Sequence, residues 1–152
     1  MKRITAFALV LILLMSSALA SGITDLIDGH NRGCLASGAK QISGDPEIID
    51  GHICYHITDN VNILFNMDGD TFKSFSCVCL DESGVSEFLA QCVASFYNLG
   101  GLLAYTFCHD ALLTDFLSAR AGNDPGNNSS VNGLLFRIVK EPYGYTFIIV
   151  KV

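Results

Sequence analysis

Three side chains with ligand chemistry recur at alternate positions in His52-x-Cys54-x-His56. On a β-strand, residues two apart share a face, so two imidazoles and a thiol would point the same way. Such a donor set suits zinc or copper. Cys77 and Cys79 form a second alternate pair that could complete a four-ligand site if the sheet brought the pairs together. The order of the segments weighs against this. An apolar run between them would sit between the two strands, leaving the groups roughly 9–10 Å apart, twice the strand spacing. The plainer expectation is that His52 and His56 are solvated residues of a sheet face, with Cys54 paired or half-buried.

The six cysteines, Cys34, Cys54, Cys77, Cys79, Cys92 and Cys108, are all disulfide candidates. Their spacing selects no connectivity. Cys92 and Cys108 fall on the apolar stripes of two consecutive predicted helices. They could be bridged if their Cα atoms came within about 7 Å. Two inert buried thiols fit the same pattern, since free cysteine packs as a small hydrophobe. Cys34 would then pair with Cys54, Cys77 or Cys79. Cys77-x-Cys79 has neither the Cys-x-x-Cys spacing nor the helix N-terminus typical of redox dithiols. Cys108-His109-Asp110 resembles a catalytic trio, but neighbours on a helix point about 100° apart and cannot converge on one atom. Asp68, Asp70, Asp81 and Glu82 flank one end of a predicted strand. They lack the ligand spacing of a calcium loop and read as solvated turn acids. No hydrolase elbow, zinc-protease helix, phosphate loop or dinucleotide fingerprint occurs, so neither a catalytic residue nor a cofactor is expected.

The elements that hold these residues follow a leader. Lys2 and Arg3 precede an apolar run from Ile4 to Met15, followed by Ser16-Ser17-Ala18-Leu19-Ala20. This is the pattern of a secretory signal peptide with an Ala-x-Ala cleavage site. The run falls short of the roughly 20 residues that span a bilayer. Cleavage would leave residues 21–152 as one extracytoplasmic domain, secreted or periplasmic, with no integral membrane segment. The leader holds two of the nine basic residues and none of the fifteen acidic ones, so the mature chain carries a net charge of −8. No three basic residues cluster, which sets nucleic acid aside as a partner. It argues equally against an anionic membrane surface.

Ile23, Leu26, Ile27, His30 and Cys34 lie near one face of a predicted helix over 23–35. A connector over 37–50 leads to a three-stranded meander over 52–58, 61–67 and 71–80, with turns at Asp59-Asn60 and Asp68-Gly69. Val85, Phe88, Leu89, Cys92, Val93 and Phe96 form a helical stripe that Ser83 could cap and Gly100-Gly101 would end. A further helix covers 103–119, followed by a polar loop over 121–133. The chain closes in a hairpin, 134–140 with 145–152, turned at Glu141-Pro142-Tyr143-Gly144. The predicted order is α-β-β-β-α-α-β-β. It implies an α+β domain with a mostly antiparallel five-stranded sheet and helices packed on one face.

The first expectation for function is a small exported, non-catalytic domain that binds a protein or a small ligand. Its binding face would be the uncovered side of the sheet, with Leu64, Phe75, Tyr143 and Tyr145 as candidates. The alternative is a secreted metal-binding or thiol-dependent protein using His52, Cys54 and His56.

Overall fold

The computed structural model describes residues 22–123, 129–131 and 133–152. The predicted leader lies outside them. Period-two alternation builds a run of four antiparallel strands: β1 (Glu47–Ile49), β2 (His52–Thr58), β3 (Val61–Asp68) and β4 (Thr71–Cys79). Asp50 (φ 50°) and Gly51 (φ 80°) turn β1 into β2. Positive φ at both central positions is what a type I′ hairpin requires. The β3–β4 turn lies one residue later than the sequence suggested: Asp68 pairs with Thr71, and Gly69 and Asp70 are central. A bulge follows, pairing Met67 with Phe72. It turns Phe72 toward the core and away from the face that its spacing to Ser74 predicts.

After the helices come β5 (Ser129–Val131), β6 (Leu134–Lys140) and β7 (Tyr145–Lys151). β7 pairs with β4, giving the order β1-β2-β3-β4-β7-β6-β5, antiparallel throughout. The five-stranded sheet and the element order expected from sequence are therefore corrected to a seven-stranded sheet with four strands before the helical hairpin and three after it. The additional strands, β1 and β5, lie in stretches read as connector and polar loop. Three residues are too few to show alternation, and both strands lie at sheet edges. The α+β class, with helices layered on a sheet, is as expected.

The helical layer consists of α1 (residues 22–37) and α2 (Val85–Arg120). Gly101, at φ 70° and ψ −169°, breaks α2 into two limbs. Only glycine takes that conformation readily. The limbs fold back on each other: Ser86, Leu89 and Val93 share a groove with Tyr105, His109 and Leu113. At the open end of this hairpin, Glu82 meets Arg120 at 3.3 Å. Ser83 does not cap α2. Asp81 caps the preceding 3-10 turn (Glu82–Gly84) by accepting from the Ser83 amide at 2.8 Å. The C-terminus closes with Gly122 N–H donating to Ala119 O and Asn123 N–H to Ser118 O, a Schellman arrangement. α1 crosses the first limb closely, since a Cβ on Gly33 would lie 2.4 Å from Ala94 O. Asn98 Nδ2 donates to Leu26 O at 2.9 Å beside that crossing.

The core lies between this layer and one face of the sheet. Phe65, Phe75, Phe147 and Phe136 run across the sheet, and Phe96 of α2 packs edge-on against Phe136 with centroids 4.9 Å apart. Tyr145 stacks between Phe88 and Phe116 from the two limbs.

Candidate functional site

Among the described residues, no helix lies on the opposite face of the sheet. Register fixes its rows: Cys54, Leu64, Ser76, Ile148 and Arg137 lie side by side, as do His56, Asn62, Val78, Thr146 and Val139. Asn66, Ser74, Val150 and Leu135 form a third row. Leu64, Val78, Leu135, Val139, Ile148 and Val150 are all half-buried. Ser, Asn and Thr side chains alternate with them. A shallow depression of ≈ 210 Å³ opens on this face, lined by His52, Leu64, Asn66, Ser74, Ser76, Val78 and Thr146.

The sequence-predicted binding face divides between two environments. Leu64 is on the open face, and Tyr143, 55% exposed, is in the β6–β7 turn. Phe75 and Tyr145 are buried beneath the helices, and this corrects their assignment to the uncovered side. The Tyr145 hydroxyl donates to Glu82 Oε1 at 2.7 Å, which lets an aromatic ring with a polar tip sit in the core.

The His52, Cys54 and His56 side chains occur at the β1–β2 margin of the open face. The His56 ring faces two acceptors, Asn62 Oδ1 at 2.7 Å from Nδ1 and Glu47 Oε2 at 3.3 Å from Nε2. These contacts raise its pKa above the ordinary value, the Asn62 hydrogen bond first and Glu47 second. Both ring nitrogens thus face acceptors within the sheet. Cys54 is buried, and burial followed by the Glu47 charge pushes its thiol pKa up, away from the thiolate that ligates. Among the described residues, no three His, Cys, Asp or Glu side chains are placed to hold a metal ion. Cys77 and Cys79 are on the core face, opposite Cys54, because Cys54 shares its row with Ser76. The four-ligand arrangement therefore does not form.

All six cysteines are free and buried. Burial, followed by the proximity of Cys77, raises the Cys92 pKa well above the usual thiol range. Cys34 Sγ lies 3.7 Å from Gln91 Oε1; its thiol is pushed up to about 12, mainly by burial and then by the Glu87 charge. Cys79 donates to Asp81 O at 3.0 Å. Cys108 is pushed up to about 11 by burial. The neighbouring His109 and Asp110 are exposed, with His109 Nδ1 3.7 Å from Asp110 Oδ1.

A polar thread through the helical layer was not recognised in the sequence. His30 is fully buried against Phe65 and Phe75, with Nε2 2.7 Å from Gln91 Oε1. Gln91 Nε2 in turn donates to Lys40 O at 2.7 Å and to Glu87 Oε1 at 2.8 Å. Burial lowers the His30 pKa to about 4, outweighing the Gln91 hydrogen bond, so the ring is neutral; Nδ1 has no hydrogen-bond partner among the described residues. His30 belonged to the predicted apolar stripe. Gln91, one residue before Cys92, was the available signal of a polar group at that interface.

On the outer side of the helices, a groove of ≈ 340 Å³ runs between the limbs of α2 and the end of α1. Tyr105 bridges its rim by donating to Ala36 O at 2.8 Å. No helix among the described residues is long and apolar enough to cross a membrane. Fold and site together define a one-sided α+β sheet domain. No family model, curated protein or solved structure matches the chain.

Proposed function

We propose that the chain is a small exported, non-catalytic binding module whose open sheet face docks a protein partner. The observation that carries this reading is the row pattern of half-buried aliphatic side chains interleaved with Ser, Asn and Thr on a broad face that no helix among the described residues covers. Apolar surface of this kind favours association, at roughly 25 cal/mol per Å² removed from water. The interleaved hydroxyls and amides supply the hydrogen bonds that a protein interface also needs. The depression of ≈ 210 Å³ is smaller than the ~300–1,000 Å³ usual for small-molecule sites, so a broad, shallow partner suits the face better than an enclosed ligand. The short edge strands β1 and β5 leave the face, rather than an edge, as the larger contact surface.

Site-specific photocrosslinking tests this. A photoreactive side chain at Ile148 of the exported protein is expected to give a discrete covalent adduct with another protein. The same group at Leu117, exposed on the helical layer, is the comparison and should give none. An adduct that survives Val78→Asp with Val150→Asp in a variant of unchanged circular dichroism would overturn the proposal. So would adducts arising only from Leu117.

A further inference from the structure

We propose that the open sheet face pairs with the same face of a second copy of this chain, across a two-fold axis that runs along β4. The pairing rests on the docking role proposed above for that face. β4 is the middle strand of the sheet, so a two-fold axis over it sets β7 of one copy on β3 of the other, and β6 on β2. The row through Glu47, Cys54, Leu64, Ser76, Ile148 and Arg137 suits that operation. Ser76 lies on the axis, and its small side chain lets the two β4 strands approach. Leu64 and Ile148 flank it, so Leu64 of each copy meets Ile148 of the other. The row ends in an acid on β1 and a base on β6. The axis exchanges these ends, which brings Glu47 of each copy to the side of Arg137 of the other. Opposed sheets lie about 10 Å apart, a gap that a carboxylate and a guanidinium side chain span together.

Both charges are available to such a contact. Arg137 is exposed and has no ion-pair partner among the described residues. Glu47 is also exposed, with Oε2 on His56. The chain carries a net charge of −6, so a second copy is repelled from most of its surface but not from a face that holds one acid and one base. A strongly basic partner would be drawn to the acidic surface instead. The size of the face agrees. β2, β3, β4, β7 and β6, each of seven to nine residues, give a footprint of roughly 550 Å² at about 4.8 Å between strands and about 3.3 Å per residue. Two such footprints clear the roughly 1,000 Å² in total that a specific interface needs. They fall short of the area of an obligate dimer, so the pair separates on dilution and the face returns to water.

Sedimentation equilibrium of the purified exported chain is the test. The wild type is expected to approach twice the chain mass as its concentration rises. Arg137→Glu and Glu47→Arg each set like charges against one another at both ends of the interface, and each should raise the dissociation constant roughly 100-fold. An equal mixture of the two variants restores both opposite-charge contacts, so it should dimerise where neither variant does alone. That rescue also shows that both variants are folded. A wild type that stays at the single-chain mass would overturn the proposal. So would a mixture that associates no more tightly than its components. Either failure, with an Ile148 photoadduct to a different protein, would remove the second copy and keep the docking face. A dimer that gives no Ile148 adduct would place the contact elsewhere and overturn both.

Discussion

Phe147 and Ile148 are adjacent on β7 yet face different surroundings. Phe147 is fully buried among Phe75, Phe96 and Phe136, whereas Ile148 is half-buried in a row with Ser76 and Arg137. The same holds for Phe65 beside Leu64 and Phe75 beside Ser74. One set of strands therefore carries a dry aromatic layer on one side and a mixed surface on the other. Packing limits the covered side, where a void or an unpaired polar atom is costly. The open side has no such limit, so serines and asparagines sit beside leucines there. The chemistry open to each side follows: the covered side holds the neutral His30, and the open side holds the charge of Arg137.

The largest contrast should come from truncating that pair. Phe147→Ala removes a buried ring from a close-packed cluster and should cost about 3–5 kcal/mol. Ile148→Ala leaves its neighbours solvated and should cost about 1 kcal/mol or less. Urea unfolding of the two variants measures both. Equal losses would mean that something covers the open face.

His30 provides the next contrast. Its folded pKa is about 4 against an unfolded value of 6.5. The unfolded chain therefore takes up a proton in a range where the folded chain does not. The stability this represents is fully present above about pH 6.5 and is lost as pH falls toward about 4, on the order of 3 kcal/mol in all. Urea midpoints followed from about pH 7 down to about pH 5 should fall in the wild type and fall less in His30→Gln. Parallel profiles would show that His30 is not held neutral in the core.

The helix crossing should give a smaller effect. Gly33→Ala places a Cβ 2.4 Å from Ala94 O, a backbone atom that cannot rotate away. Separating α1 from α2 should cost about 1–3 kcal/mol despite alanine's better helix propensity. A stabilised variant in thermal unfolding would show that the crossing is loose.

The parts that were legible in the sequence are those where one pattern runs long enough to repeat. The β2–β4 meander, the β6–β7 hairpin and the helix break at Gly101 follow from alternation, turn residues and a six-position apolar stripe. The three-residue strands have no period to read. The Asp-Gly turn signal at 50–51 was passed over because what precedes it is so short. The pairing of β4 with β7 joins segments about 70 residues apart and leaves no local trace. Phe75 and Tyr145 were placed on the wrong side for a related reason. Both faces of β4 are mixed, Phe75 with Cys77 and Cys79 against Ser74, Ser76 and Val78, so alternation separates them without saying which one the helices cover. The His30–Gln91 contact spans 61 positions, so Gln91 could signal a polar group at the interface but not its partner. The proximity of His52, Cys54 and His56 was legible. That His56 would be occupied by Asn62 and Glu47 depends on the β2–β3 and β1–β2 registers.

His56 is the open-side counterpart of His30, and its pKa is shifted the opposite way. Hydrogen bonding to Asn62, then Glu47, raises it, whereas burial lowers that of His30. The sign of the linkage reverses as well. The contribution of His56 is present below its unfolded pKa and is lost as pH rises through the higher folded value. Its side chain is 53% exposed and its partner Glu47 64% exposed, so solvent screening keeps the energetic effect small, within the range of surface ion pairs. The measurement suited to so small an effect is an NMR titration of the histidine ring protons. The His56 resonance should titrate above the unperturbed value and move down in Asn62→Ala, with a smaller shift in Glu47→Gln. Over the same range the His30 resonance should show no titration near neutrality. A single midpoint shared by both rings would remove the distinction between the two sides of the sheet.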